Sequence, residues 1–329
     1  MNAKRVKWGV LNTGNLDCGA LRSVFGCSSN AELVQKESAH YEQIIGDPNV
    51  DAVYIRLPSK HRVEWILKAA NAKKHILCDK PAALNTQDAA QIMNLCKENG
   101  IIFMETFLHQ FHPQHEKAKQ LIQSGVIGDV KMMRASLSYP ASNREREFDV
   151  GVLYNDGPEC INSIRLILES EPLSAVAFGE SDKAGMEQTV GIILNYSEHI
   201  YALIDCSSEM TMRYEYEVIG TKGVIKLPFA YRPDLNGGDG IIFIQTEHTK
   251  TEITVKDDLN LDLVEHISNC ILHGTVTEYF GEYFWNNMKV LDAISQSLNN
   301  NSVTIQVERK VIADDGWGSE CGIAFFLRR

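Results

Sequence analysis

The sequence predicts an α/β fold with two domains, one built on a parallel sheet and one on an open, mostly antiparallel sheet. A chain of 329 residues with 44% hydrophobic and 23% charged residues is longer than one core usually needs. Up to about residue 105, short apolar runs alternate with helical periods, which predicts βα units. From Leu173 to about Val255, long runs of alternating polarity are separated by turn residues, which predicts antiparallel strands.

We expect the first domain to cover residues 1–108, with strands and helices alternating in chain order. The apolar segments that define them are Val6 to Leu11, Ala20 to Phe25, Ala52 to Ile55, Val63 to Ala70, Ile76 to Cys78, Ala89 to Leu95 and Ile101 to Met104. Only about twenty residues, Glu32 to Asp51, are available for the second strand, its helix and both loops. An average strand and helix already fill that length, so the second βα unit is predicted to be shortened.

The second domain is expected to cover residues 109–310. Helices are predicted at Glu116 to Gln123, Ile161 to Leu168, Leu261 to Leu272 and Gly281 to Leu298. Strands are predicted at Val130 to Tyr139, Val176 to Phe178, Gly191 to Tyr196, Tyr201 to Cys206, Tyr214 to Ile219, Val224 to Leu227, Ile241 to Gln245 and Thr251 to Val255. Residues 311–329 form a tail whose pattern predicts no element and no role.

Composition and charge exclude several classes of partner. The formal net charge is −11 and no long Lys/Arg run is present, which argues against nucleic acid. No apolar stretch is long enough for a membrane span, and the one after Lys7 is too short for a signal peptide. The eight cysteines contain no C-x-x-C spacing, as is typical of reduced thiols. These observations favour a cytoplasmic protein.

A glycine-containing turn from Gly9 to Gly19 follows the first strand and precedes the first helix. This is the context in which a Rossmann-like domain binds a dinucleotide pyrophosphate. The fingerprint G-x-G-x-x-G, however, has a glycine where this chain has Asn12. An ordinary strand-to-helix turn therefore remains open. The candidate cofactor-binding residues of the turn are Asn12, Thr13, Gly14, Asn15 and Leu16.

Asp79-Lys80-Pro81 follows the apolar run His75 to Cys78 at the end of a predicted parallel strand. Ligands of open α/β sheets bind outside the carboxyl ends of the strands, so a lysine there is suited to proton chemistry beside a bound nucleotide. The alternative is a surface lysine at a helix start. Lys80 is the first candidate catalytic residue.

Several segments occur in the order and at the separations of one known family. They are Asp51 to Pro58, His75 to Pro81, Phe103 to Gln114, Gly125 to Val130 and Ile219 to Gly223. Through them the chain from Lys7 to about Val290 resembles the Gfo/Idh/MocA oxidoreductases, nicotinamide-dependent enzymes that act mostly on sugars and cyclitols. The sugar and dihydrodiol dehydrogenase branch is the most similar.

The resemblance implies NAD or NADP as cofactor and a polyol or sugar-like substrate, with the ligands in a cleft between the domains. Lys80 would then stabilise the alkoxide that develops during hydride transfer, and the bond before Pro81 would be cis. Further residues implied at the cofactor are Leu57, Pro58, Arg62 and Asp79. The resemblance also implies a homodimer or higher homo-oligomer. The predicted sheet supports this expectation, because a long sheet with an exposed apolar face needs covering.

Departures from the family pattern favour a second hypothesis. The family's D-x-G-x-[YH] reads Asn155-Asp156-Gly157-Pro158-Glu159 here, so Asp156 or Glu159 would have to supply the second acid or base. Asn155, Glu159 and Arg144 are candidates for substrate contacts. Lys36 and Glu37, of opposite charge, are the candidates for reading the adenosine ribose, so the choice between NAD and NADP stays open and affinity is expected to be reduced. The first hypothesis is an NAD(P)-dependent dehydrogenase or ketoreductase of a sugar-like substrate, which the retained Lys80 favours. The competing hypothesis is a non-catalytic binding or regulatory member of the same family, which Asn12, Asn155 and the shortened second unit favour.

The spacing His109-x-x-His112-x-x-His115 also fits metal ligands on a helix. Pro113 interrupts that helix, and no carboxylate or cysteine completes a set with suitable spacing. We therefore predict a packed structural segment and no metal site.

Overall fold

The computed structural model describes residues 4–13, 25, 28–34, 40–140, 149–256, 259–274 and 278–308. The chain divides into two compact units: Met1–Thr106 with Leu259–Met288, and Phe107–Asp258 with Lys289–Arg329. The first division falls between Thr106 and Phe107, and the sequence predicts a boundary after residue 108. The return of Leu259–Met288 to the first unit differs from the expected second domain of residues 109–310.

Two contacts explain why this late segment belongs to the first unit. The indole N–H of Trp8 donates a buried hydrogen bond of 3.1 Å to the hydroxyl of Ser268, and the rings of Phe103 and Phe284 lie 5.1 Å apart. Both contacts bury large aromatic surface against the sheet, a long-range effect that local periodicity does not reveal.

The sheet of the first unit has five parallel strands in the order β2-β1-β3-β4-β5. Their bounds are β1 Val6–Asn12, β2 Ala31–Leu33, β3 Ala52–Arg56, β4 His75–Cys78 and β5 Phe103–Glu105. The connecting helices among the described residues are α1 Tyr41–Gly46, α2 Ser59–Asn71 and α3 Thr86–Asn99. The chain changes direction across the sheet between β1 and β3, which makes that pair the topological switch point.

The second βα unit is short, with a strand of 3 residues and a helix of 6. Gly9 in β1 allows α1 to lie close to the sheet, because a Cβ at Gly9 would overlap the Cγ2 atom of Ile44. The helix predicted at Ala20 to Phe25 lies outside the described residues except for Phe25, which is helical.

The second unit is built on nine strands in the order β13-β12-β11-β10-β6-β9-β8-β7-β14. All pairs are antiparallel except the parallel pair β6 and β9. The strands are β6 Val130–Ser138, β7 Ser174–Ser181, β8 Glu187–Asn195, β9 Tyr201–Ser207, β10 Arg213–Gly220, β11 Gly223–Leu227, β12 Asp239–Thr246, β13 Lys250–Lys256 and β14 Ile305–Gln306. The predicted fold class is confirmed.

Five further helices among the described residues come after β5 in the chain. They are α4 Pro113–Gln123, α5 Val152–Asn155, α6 Gly157–Leu168, α7 Leu259–His273 and α8 Glu278–Asn299. Short 3₁₀ turns lie at Leu108–Phe111, Ser197–His199 and Pro233–Asn236. Within the described residues, no helix combines the length and apolar character that a membrane crossing needs.

The nine-stranded sheet has one buried and one partly open face. In β6, Met133, Ala135 and Leu137 are buried, whereas Met132, Arg134 and Ser136 are more exposed. The open face carries large apolar side chains, including Phe178 at 60% exposure and Phe243 at 39%. The sheet therefore leaves apolar surface in contact with solvent.

Candidate active site

The carboxyl ends of four parallel strands meet at one edge of the first unit's sheet. Asn12, the last residue of β1, pairs with Arg56 at the end of β3. Cys78 at the end of β4 pairs with Ile55 on one side and with Glu105 on the other. The register therefore places the residues after β1, β3, β4 and β5 at the position where open α/β sheets bind ligands.

Lys80 follows β4 at this edge, and the bond between Lys80 and Pro81 is cis, as the resemblance implies. The backbone N–H of Asp79 donates to the carbonyl of Ile55 over 3.0 Å, which extends the ladder with β3 by one residue. Lys80 is half-buried, whereas Pro81 and Ala82 are buried. The lysine thus emerges from a segment that is anchored on both sides of it.

Asp79 is held by side chains from the neighbouring strands. Its Oδ1 atom accepts a hydrogen bond of 2.8 Å from the hydroxyl of Tyr54 and one of 3.5 Å from Thr106. Its Oδ2 atom lies 3.6 Å from Nε of Arg56, whose guanidinium is 5.5 Å from the Tyr54 ring centre. Burial, and then the Asp79 charge, raise the pKa of Tyr54 well above its usual value, so Tyr54 remains a hydrogen-bond donor.

The predicted cofactor residues Leu57, Pro58 and Arg62 lie at the start of α2. Leu57 is buried, and Pro58 is the residue before the helix. The Arg62 guanidinium is buried and donates to the carbonyl of Leu57 over 2.6 Å and to that of Pro81 over 2.9 Å. In the structure Arg62 therefore joins the loop after β3 to the loop after β4.

Glu105 is a buried carboxyl group at the same edge. Its Oε1 atom accepts a hydrogen bond of 2.8 Å from the backbone N–H of Ala82. Burial raises the pKa of Glu105 to about 7, although the Ala82 N–H and the charges of Arg62 and Lys80 act in the opposite direction.

At the end of β1, the structure describes two of the predicted cofactor residues. The carbonyl of Asn12 accepts a hydrogen bond from the Tyr41 hydroxyl, and Thr13 is exposed. Tyr41 in turn packs edge-on against Trp65 of α2, with 5.0 Å between the ring centres. Six further predicted site residues lie outside the described residues: Gly14, Asn15, Leu16, Lys36, Glu37 and Arg144.

In the second unit, Asp156 lies directly before α6 and is only 3% exposed. Its Oδ2 atom accepts a hydrogen bond of 3.0 Å from the Tyr139 hydroxyl, and its Oδ1 atom accepts one of 2.8 Å from the Asn155 amide. The structure therefore brings Asn155 and Asp156 together with Tyr139, which ends the long strand predicted from Val130.

Glu159 lies in the first turn of α6 and is half-buried. It belongs to an electrostatic group with Arg232 and Tyr214, whose ring centre lies 5.7 Å from the Arg232 guanidinium. Hydrogen bonding to Asp234 is the main cause that raises the pKa of Arg232, and the Glu159 charge adds to it.

The three histidines of the His109 segment each contact a different group of the second unit. Nε2 of His109 lies 3.1 Å from Oδ1 of Asn162, and Nε2 of His112 lies 3.1 Å from the carbonyl of Gly238. The His115 ring lies 3.0 Å from the Tyr216 hydroxyl and 3.1 Å from the carbonyl of Ala230. Burial lowers the pKa of His115 well below its usual value, so the ring is neutral.

Pro113 begins α4 instead of interrupting a helix, and His112 caps that helix by accepting the N–H of Gln114 over 3.1 Å. Within the described residues, no group of three His, Cys, Asp or Glu side chains is arranged to hold a metal.

Two family models match the chain. Residues 10–107 match the model described as an oxidoreductase family with an NAD-binding Rossmann fold, and residues 115–226 match the GFO/IDH/MocA C-terminal domain. The chain belongs to the Gfo/Idh/MocA family of oxidoreductases. Lys80 lies within the first matched segment, and Tyr139 and Asp156 lie within the second.

Curated relatives of this Gfo/Idh/MocA protein include dehydrogenases of small diols and sugars. It is 25% identical over 298 residues to trans-1,2-dihydrobenzene-1,2-diol dehydrogenase of Xenopus laevis, which covers 82% of this chain and 90% of the relative. It is 24% identical over 263 residues to D-xylose 1-dehydrogenase (NADP(+)) 2 of Haloferax volcanii, covering 78% and 81%.

Solved structures of similar fold include a 3-ketoreductase of Actinomadura kijaniata in complex with TDP-benzene and NADP. It has a TM-score of 0.81 at 18% identity, covering 90% of this chain and 98% of the ketoreductase. The aldose-aldose oxidoreductase of Caulobacter crescentus has a TM-score of 0.80 at 19% identity, covering 92% and 100%. At this identity the structures establish the fold.

Sequence reasoning missed several residues that hold the candidate groups in place within each unit. Tyr54 lies inside an apolar strand, Glu105 ends one, and Tyr139 ends the strand predicted from Val130, so each looks like a core residue in the sequence. A charged residue at the end of a predicted buried strand was the available signal for Glu105 and for Arg56.

Proposed function

We propose that this protein transfers a hydride between a nicotinamide cofactor and a sugar-like alcohol or ketone, with Lys80 as the proton-transfer group. The observation that carries the proposal is the placement of Lys80 after β4, at the edge where the carboxyl ends of β1, β3, β4 and β5 are in register. This edge includes the β1/β3 switch point, at which nucleotides bind in such sheets.

The chemistry follows from the charge of the amine. In ketone reduction, the Lys80 ammonium polarises the carbonyl and supplies a proton to the developing alkoxide. In alcohol oxidation, the neutral amine accepts the proton of the alcohol hydroxyl, and the resulting ammonium stabilises the alkoxide from which the hydride leaves. The two loops joined by Arg62 keep the lysine segment in place, so little reorganisation is needed when the charge develops.

The residues at the edge fit a nicotinamide dinucleotide. Asn12 and Thr13 lie at the end of β1, Leu57 and Pro58 at the end of β3, and Lys80 supplies a cation. We propose that these residues bind NAD or NADP, whose nicotinamide ring accepts or gives the hydride. Asp79 already binds Tyr54 and pairs with Arg56, so its proposed role at the cofactor depends on an exchange of partners.

The substrate class rests on the relatives' names, which describe a trans-dihydrodiol and D-xylose. We propose a vicinal diol or an aldose-like polyol, and its keto form in the reverse direction. We propose Asn155 and Glu159 of the second unit as substrate contacts, and Glu159 as a second acid-base group besides Lys80. Asp156 is fixed by Tyr139 and Asn155, so we assign it to orienting its neighbours, and Glu159 to proton transfer.

A homo-oligomer is proposed from the apolar side chains on the open sheet face, such as Phe178 and Phe243. A cytoplasmic location is proposed from the scattered cysteines; the five that the structure identifies as free are buried.

The test begins with binding. Purified protein is titrated with NADH and with NADPH while nicotinamide fluorescence is recorded, and the complex is then screened with D-xylose, other aldoses and trans-diols for a change in absorbance of the reduced cofactor. Lys80→Met should bind the cofactor and lose turnover by roughly 10²- to 10⁴-fold. Lys97→Met, which alters an exposed lysine of α3, is the matched control.

If neither NADH nor NADPH binds, the proposal is overturned. Tight cofactor binding without turnover of any polyol would instead support the non-catalytic hypothesis. The relatives named above are all oxidoreductases, so they give that hypothesis no support.

A further inference from the structure

Glu105 occupies an unusual place for a carboxylic acid. It is the last residue of β5, lies opposite Cys78 of β4 in the ladder, and is only 5% exposed. Acidic side chains are almost never buried to this extent unless they have a partner. The position is therefore one where the chain keeps an acid in spite of an energetic cost.

The partner of Glu105 is the backbone immediately after the lysine. Its Oε1 atom accepts the N–H of Ala82, two residues beyond Lys80, over 2.8 Å. On the other side, Arg62 donates to the carbonyl of Pro81 over 2.9 Å. The peptide units that follow Lys80 are thus held by the carboxyl group of Glu105 in β5 and by the guanidinium of Arg62 in α2.

Glu105 also interacts electrostatically with Lys80. Burial raises the pKa of the carboxyl group to about 7, and the positive charges of Arg62 and Lys80 oppose that shift. Among the described residues, Cys78 also faces Glu105, and burial raises the pKa of its thiol so far that the thiol is neutral. Among these groups Glu105 is the one that changes charge near neutral pH.

We propose that Glu105 is a positioning residue for Lys80, which fixes the backbone that carries the amine and places an ionisable carboxyl group beside it. The inference rests on the proposed function only for its kinetic consequence. The hydrogen bond and the charge act on the lysine whether or not a cofactor is bound.

Two substitutions separate the hydrogen bond from the charge. Glu105→Gln keeps an oxygen that accepts the Ala82 N–H and removes the charge, whereas Glu105→Met removes both at similar volume. Glu98→Gln, at an exposed position of α3, is the matched control. Because the glutamine variant leaves the buried Ala82 N–H satisfied, it is expected to be less destabilised than the methionine variant.

The first measurement needs no cofactor. Lysines are reductively methylated with ¹³C-formaldehyde, and the Lys80 resonance is assigned by its absence from Lys80→Arg. Titrated by NMR, this resonance should show an inflection near pH 7 in the wild-type protein and in Glu98→Gln, and none in Glu105→Gln. No inflection in the wild type, or the same inflection in Glu105→Gln, would overturn the proposal.

The second measurement follows the backbone. Hydrogen exchange at the Ala82 amide should remain slow in Glu105→Gln and become faster in Glu105→Met. Equal protection in the two variants would show that Glu105 does not hold this segment and would also overturn the proposal.

With a substrate from the screen above, Glu105→Met should lower kcat by roughly 10- to 100-fold while the dissociation constant of NAD(P)H stays unchanged. An unchanged kcat would overturn the positioning role. If no nucleotide binds, the proposed function fails, whereas the NMR and exchange results still decide the role of Glu105.

Discussion

The guanidinium of Arg62 donates a hydrogen bond of 2.9 Å to the carbonyl oxygen of Pro81, the residue joined to Lys80 by a cis bond. The same side chain donates to Leu57 over 2.6 Å. Two loops that come from different strands are therefore joined through one buried cation. A buried cation of this kind is costly without hydrogen-bond acceptors, and the two carbonyls offset part of that cost.

Arg62→Met should destabilise the protein by about 2 to 4 kcal/mol, because two buried carbonyls lose charge-assisted hydrogen bonds. Unfolding in urea, followed by circular dichroism, measures the change. Lys97→Met, at an exposed site in α3, should change the free energy of unfolding by less than about 0.5 kcal/mol. A similar small effect for Arg62→Met would contradict the role of this residue in joining the loops.

Tyr139→Phe should destabilise the second unit by about 1 to 3 kcal/mol, because it removes a hydrogen bond of 3.0 Å to the buried carboxyl group of Asp156. Thermal unfolding is the measurement, and Tyr201→Phe, at a tyrosine on the open sheet face, is the control. In the background Asp156→Ala the hydroxyl has no carboxylate to bind, so Tyr139→Phe should then cost much less. Equal costs in both backgrounds would rule out this interaction.

The stability difference between Glu105→Gln and the wild type should depend on pH. The pKa of Glu105 is raised from 4.5 to about 7 on folding, so between these values the folded state binds more protons than the unfolded state. Stability is therefore lost as pH rises through this window. Replacing the carboxyl group with an amide removes the loss, so Glu105→Gln should gain stability relative to the wild type as pH rises from 4.5 to above 7.

Urea unfolding at a series of pH values measures this difference, with Glu98→Gln as the control. If the difference in free energy of unfolding between Glu105→Gln and the wild type stays constant between pH 4.5 and 8, folding does not raise the pKa of Glu105.

Gly9→Ala should destabilise the protein by about 1 to 3 kcal/mol, because the added methyl group overlaps Cγ2 of Ile44 in α1. The double variant with Ile44→Ala separates this contact from a general effect on β1. The cost of Gly9→Ala should fall markedly in that background, as denaturant midpoints would show. An equal cost in both backgrounds would mean that the close packing of α1 is not the cause.

The strands and helices of this protein were largely predictable because each one carries its own period. The runs Ala52 to Ile55 and Tyr201 to Cys206 both lie inside strands of the structure. The two helices near the end were also located correctly, at Leu259–His273 and Glu278–Asn299. Their association with the first unit was not predicted, because it depends on contacts such as that of Trp8 with Ser268, 260 residues apart.

The sequence by itself determined the fold class, the order of the elements, the family and the position of Lys80 at the end of a parallel strand. Each of these is encoded in local spacing, since side-chain periodicity and short motifs are properties of neighbouring residues. The tertiary structure alone decided which groups surround that lysine. Glu105 and Tyr54 reach the segment around Lys80 only when parallel pairing aligns the ends of separate strands, which places Glu105 on the Ala82 N–H and Tyr54 on Asp79.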